Sequence, residues 1–130
     1  MSVPTLPGIE STRVTSTRLT TRVLFSGPAD GEPVLFLHGN LTSATWWETT
    51  MLRLPPPFRG IAPDQRGFGA AAPEAKIDAT KGLGDLAEDA LALLDELEVK
   101  RAHVVGNSMG SGVVWRLIAD APTRIRTATQ

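Results

Sequence analysis

Residues 102–110 read Ala102-His103-Val104-Val105-Gly106-Asn107-Ser108-Met109-Gly110. An apolar run of strand character leads into a G-x-S-x-G. Val113, Val114, Leu117, Ile118 and Ala121 then recur at helical spacing. At such a strand-to-helix turn the serine sits on a sharp bend, its hydroxyl pushed out at the end of a sheet. Gly106 and Gly110 let the turn close and the helix pack on the strand. The first turn of that helix has backbone N–H groups without intrahelical partners, which can hold a developing oxyanion. The plain alternative is a small-residue strand–helix turn of an open parallel sheet, and the placement between strand and apolar helix favours the reactive reading. A serine hydroxyl is a poor nucleophile until a base takes its proton. No histidine lies between Ser108 and Gln130.

Upstream of the motif, Leu83, Leu86, Ala90, Leu93, Leu94 and Leu97 repeat at helical spacing. The acids from Asp85 to Glu98 fall between them, which predicts an amphipathic helix with a solvated acidic face. Ile61-Ala62 is a short strand opening into a Gly-, Ala- and Pro-rich loop over 63–80. Residues 43–54 are predicted helical, capped by Ser43 and stopped by Pro55-Pro56-Pro57. Val34-Leu35-Phe36-Leu37 is a continuous apolar run, as expected of a strand buried on both faces. Gly27 to Gly31 form a turn, Ser11–Ser16 and Leu19–Phe25 have β character, and Met1 to Gly8 read as a loose leader.

Downstream, Pro122 ends the helix after the motif, and Arg124 to Thr129 alternate like the start of a further strand. Strand and helix alternate from Val34 onward. The expected fold is therefore α/β, with a mostly parallel sheet flanked by helices, broken off at the start of its sixth strand. Such a sheet would leave an apolar edge and a helix face uncovered, so the chain alone is expected to aggregate or to need a partner.

At 130 residues the chain is one domain's worth or a large piece of one, and 42% hydrophobic residues argue against disorder. A net charge of −1 offers nothing to nucleic acid or to an anionic membrane. The chain has no cysteine, which excludes disulfides, thiol nucleophiles and cysteine-bound metals. The first twenty residues lack the basic start and apolar stretch of a signal peptide, and no apolar run approaches the roughly 20 residues needed to span a bilayer. A cytoplasmic protein without metal or organic cofactor is expected.

Further candidates lie outside the motif. His38-Gly39-Asn40 ends the strand at Val34–Leu37. Its functional reading is a loop whose Asn40 N–H faces that of Met109 across an oxyanion hole, with His38 shaping the loop. Asp64-Gln65-Arg66-Gly67-Phe68-Gly69 reads alone as a solvated loop with an Asp–Arg pair. His103 is expected to be a satisfied core histidine. Of Trp46 and Trp47, one is expected in the core and the other against a substrate. Asp120 falls too near the end of the motif's helix to be a catalytic acid.

Taken together, His38-Gly39, Asp64-x-Arg66-Gly67-x-Gly69 and Gly106-Asn107-Ser108-Met109-Gly110 resemble, in order and separation, landmarks of the amino-terminal half of the α/β-hydrolase fold family. The resemblance runs from about Leu19 to the end of the chain. It implies that residues 1–130 form the N-terminal part of one catalytic domain, with the lid and C-terminal part elsewhere. Ser108 is then the nucleophile, and the backbone N–H groups of Asn40 and Met109 form the oxyanion hole. The implied activity is cleavage of carboxylic esters or lactones through an acyl-enzyme on Ser108. The acid and histidine would come from outside this chain, which by itself would be inactive, and the missing half and a small-molecule substrate are the expected partners. The loop holding Asp64 and Arg66 is structural in the family. The loop His38-Gly39-Asn40, followed by Thr42, Ser43 and Trp46, is also similar to that of haloalkane dehalogenases, but those enzymes and epoxide-opening relatives use an aspartate where this chain has Ser108. Carbon–carbon bond hydrolases share Gly-Asn-Ser-Met-Gly but usually carry a longer glycine motif at the oxyanion loop. A non-catalytic binding domain, or an inactive fragment keeping the same shell, is the competing reading.

Overall fold

A computed structural model describes residues 3–130. Six strands form one mixed sheet: β1 (Glu10–Thr15), β2 (Thr20–Ser26), β3 (Glu32–Leu37), β4 (Phe58–Pro63), β5 (Ala102–Gly106) and β6 (Ile125–Thr129). Their spatial order is β1-β2-β4-β3-β5-β6. β1 and β2 form an antiparallel hairpin, and β2 pairs antiparallel with β4. β3 pairs parallel with both β4 and β5, and β5 with β6. The crossovers carry α1 (Glu48–Leu52), α2 (Leu83–Glu96) and α3 (Met109–Asp120).

The apolar run of β3 is buried on both faces, as a central parallel strand must be. Leu35 and Leu37 face one way, with Ile61 and Val104, into a core closed by Leu86, Leu93 and Leu94 of α2 and Val113, Val114 and Leu117 of α3. Val34 and Phe36 face the other way, with Leu24 and Ala62, against Ile9, Trp47 and Met51. The two-residue period of the strand thus divides one run between two cores.

Several expectations change. Residues 43–54 do not form one helix: a 3-10 turn, Ala44–Trp47, precedes α1. Ser43 does cap it, accepting from Thr45 N at 3.3 Å. The tight turn follows from its anchors, because Ala44 N is held by a buried carboxylate at 2.8 Å while Trp47 is drawn into the core. The leader is tethered where it is described, for Leu6 N donates to Glu48 Oε1 at 2.7 Å and Ile9 is buried. Met1 and Ser2 lie outside the described residues. The edge strand β6 is polar rather than apolar, exposing Arg126, Thr127 and Thr129, whereas α3 does expose Trp115.

Candidate active site

The turn from β5 into α3 places Ser108 at φ 56° and ψ −116°, a conformation L-residues rarely adopt. Its side chain is exposed, beyond the carboxyl end of the central strands. Two glycines make this possible. A Cβ on Gly110 would press on the carbonyl of Leu37, and one on Gly106 would press on the carbonyl of Gly110. Backbone meets backbone at both places, so neither side can yield.

The loop after β3 lies against this turn. A Cβ on Gly39 would stand 3.2 Å from both the Ser108 Cβ and the Asn107 carbonyl oxygen. The three residues expected to act together are therefore brought to one place: Ser108, Met109 beside it in the chain, and Asn40 next to Gly39. Among the described residues, neither Asn40 N–H nor Met109 N–H donates to another group of the chain. Met109 is the first residue of α3, where an intrahelical partner is impossible.

His38 is fully buried and holds that loop. Its Nδ1 lies 2.8 Å from Gly39 O and its Nε2 accepts from Gln65 N at 3.0 Å. These bonds require the neutral ring with its proton on Nδ1. Burial pushes its pKa below the usual histidine range, against the opposing pull of Gly39 O and Asp64. Phe68 packs edge-on to the ring at 5.6 Å. His38 thus shapes the loop, and with both ring nitrogens engaged and no exposed surface it lacks the access of a general base.

Beneath the loop, Asp64 is the buried hub. Arg22 Nε donates to its Oδ2 at 3.0 Å and Nη2 to its Oδ1 at 3.3 Å. Ala44 N and Ala70 N each donate to it at 2.8 Å. Gly69 has no Cβ because one would sit 2.5 Å from this carboxylate. The solvated Asp64–Arg66 pair read from the sequence is therefore wrong on both counts. Arg66 instead forks onto Asp89, at 2.7 and 2.9 Å, which Arg18 also reaches at 2.9 Å while bridging to Asp85. Asp85 and Asp89 are buried, not part of a wet helix face. Burial opposes ionisation of Asp85, but Asp78 N–H, Arg18 and Arg66 outweigh it and hold its pKa below the ordinary value.

Other expected positions separate. Trp47 packs on Phe36 at 5.0 Å in the core, so it does not line a substrate pocket, whereas Trp46 is 56% exposed. His103 is half-buried rather than core, bonded to Thr127 Oγ1 at 2.7 Å and 3.5 Å from Glu32 Oε1, well down β5 from the turn. Asp120 forms an exposed pair with Arg116. Sequence reasoning missed Gln65, Thr42 and Arg22. The one available signal was Arg22 itself, a charge inside the apolar stretch of β2 that had to find a buried partner.

The alpha/beta hydrolase fold family model matches residues 32–129. The chain belongs to this family. Among curated relatives of this chain, a Variovorax paradoxus protein named as a carbamate hydrolase, RutD, is 39% identical over 100 residues, 76% of this chain. The 2-hydroxymuconate semialdehyde hydrolase of a Pseudomonas species is 36% identical over 74% of the chain. Rhodomycin D methylesterase DauP of a Streptomyces species is 36% identical over 78%. The chain spans 37%, 34% and 35% of these three proteins respectively, little over a third of their length. The solved structure of epoxide hydrolase VrEH1 from Vigna radiata superposes with a TM-score of 0.84 at 29% identity, covering 97% of this chain and 38% of that one. Among the described residues no helix is long and apolar enough to cross a membrane, and no cluster of three or more His, Asp or Glu is placed to hold a metal ion.

Proposed function

We propose that this chain carries the nucleophile half of a serine hydrolase acting on carboxylic esters or lactones. The observation that carries the reading is Ser108, exposed at positive φ between β5 and α3 and packed against Gly39 of the loop that ends at Asn40. Ser108 Oγ attacks the ester carbonyl, and the resulting oxyanion is held by Asn40 N–H and Met109 N–H. Collapse expels the alcohol and leaves an acyl-enzyme, which water opens to the free acid. The base that takes the serine proton and the acid that orients it lie in the rest of the hydrolase, since His38 is locked and His103 is remote. Partnership with that C-terminal half belongs to the same proposal.

The methylesterase relative supports ester cleavage, and the likeness to epoxide hydrolases supports the fold. A serine at position 108 separates this chain from the aspartate route to epoxides. A second reading, carbon–carbon cleavage by the same serine, is favoured by the likeness to 2-hydroxymuconate semialdehyde hydrolase.

The test is intact mass under denaturing conditions after exposure to a fluorophosphonate. It is run on the 130-residue chain alone and on a polypeptide continuing through the C-terminal half. One adduct on the longer protein, absent in Ser108→Ala, is expected, with none or little on the short chain. An unlabelled, folded longer protein would leave the binding-domain reading in its place. Release of p-nitrophenol from p-nitrophenyl esters, against cleavage of a vinylogous diketone, separates the two bond types.

A further inference from the structure

We infer that Gln65 and Thr42 are positioning residues for the oxyanion donor at Asn40, acting through the two peptide planes before it. The inference rests on the reading of Asn40 N–H as that donor. A trans peptide is planar, so its C=O and N–H point in opposite directions, and fixing one aims the other. Both planes here are fixed by their carbonyls. The His38 carbonyl accepts from Gln65 Nε2 at 2.8 Å. The Gly39 carbonyl accepts from Thr42 Oγ1 at 2.7 Å and faces His38 Nδ1 at 2.8 Å. With Gly39 O tied down on the His38 and Thr42 side, Asn40 N–H is turned the opposite way and left without a partner among the described residues.

Gln65 grips the loop twice, for its backbone N–H also fixes the His38 ring, which sends that ring's proton to Gly39 O. The grip is close to the turn from β5 into α3 as well, since a Cβ on Gly110 would lie 2.9 Å from the same His38 carbonyl. Gln65 also leaves its own Oε1 buried without a hydrogen bond. Exchanging the two ends of the amide would put oxygen against the His38 carbonyl, so the donor is needed there. An apolar side chain there would orphan the buried His38 carbonyl instead, so the amide is held for its donor and its Oε1 is left over. Local strain sits beside the clamp: Leu41, 86% exposed, has φ 59°.

The experiment compares wild type, Gln65→Met, Thr42→Val, the double variant and Thr42→Ser. Backbone relaxation of the 15N-labelled longer protein, the polypeptide continuing through the C-terminal half, reads the Asn40 amide. Wild type and Thr42→Ser are expected to give an order parameter near about 0.85, and the double variant, still folded by its remaining spectrum, below about 0.6. On the longer protein, phosphonate labelling at saturation is expected to slow about 10-fold in Gln65→Met, a fraction of what loss of a whole oxyanion donor costs. The half-saturating phosphonate concentration should stay unchanged. A rigid Asn40 in the folded double variant, or labelling changed only in its half-saturation, overturns the inference. If wild type takes no adduct, the hydrolase reading fails while the relaxation measurement still decides whether Gln65 and Thr42 fix Asn40.

Discussion

Two glycine-rich turns follow the carboxyl ends of the interior strands β4 and β5, and they are held in opposite ways. The turn at Gly106–Gly110 is fixed by contact of backbone on backbone, with no side-chain cap on α3, and its central side chain is left free. The turn at Asp64–Gly69 is fixed by a side chain, a buried carboxylate that gathers an arginine and two main-chain N–H groups. Glycine therefore has two meanings here. At Gly110 it lets two elements touch, and at Gly69 it makes room for a charge. The turn that leaves its serine exposed is built without using that side chain, whereas the other is built around one.

The contrast is broken most severely at Gly110. Gly110→Ala forces a methyl into the Leu37 carbonyl, and loss of a cooperative unfolding transition is expected by circular dichroism. Asp64→Ala comes next, because it strands Arg22 inside the protein. Breaking a buried pair by removing one partner costs about 3–5 kcal/mol, read as a lowered urea midpoint.

The third effect sharpens the comparison through pH. His38 has a folded-state pKa below its ordinary value near 6.5, so the unfolded chain binds the extra proton more readily. The stability from keeping it neutral is whole above that ordinary value and falls as pH drops below it, toward the depressed folded pKa. Urea midpoints measured from pH 7.5 to 5 should decline, and His38→Asn, less stable throughout, should lose that part of the decline.

The turn at Gly106–Gly110 was legible in the sequence because its signal is local: five residues, two glycines, and a strand and helix on either side. The Asp64 loop was not, since the partners that define it, Arg22 and Ala44, lie 42 and 20 residues away. The same distance hid Asp85 and Asp89. Helical periodicity placed them on a polar face, but it has no means of seeing Arg18, 67 and 71 residues upstream. Fold class followed from the alternation of strand and helix. The loop after β3 was legible as a position beside the turn at Gly106–Gly110, while its bond to Gln65 depended on a pairing across 27 residues.

The smallest expected effect bears on the central claim, that the fold holds Ser108 against its own conformational preference in order to present it. Urea unfolding of Ser108→Gly beside wild type and Ser108→Ala measures this directly. Residues held in such backbone regions carry about 1–3 kcal/mol of strain, so Ser108→Gly should be more stable than wild type by about 1 kcal/mol, with Ser108→Ala close to wild type. A glycine variant less stable than wild type would contradict the claim.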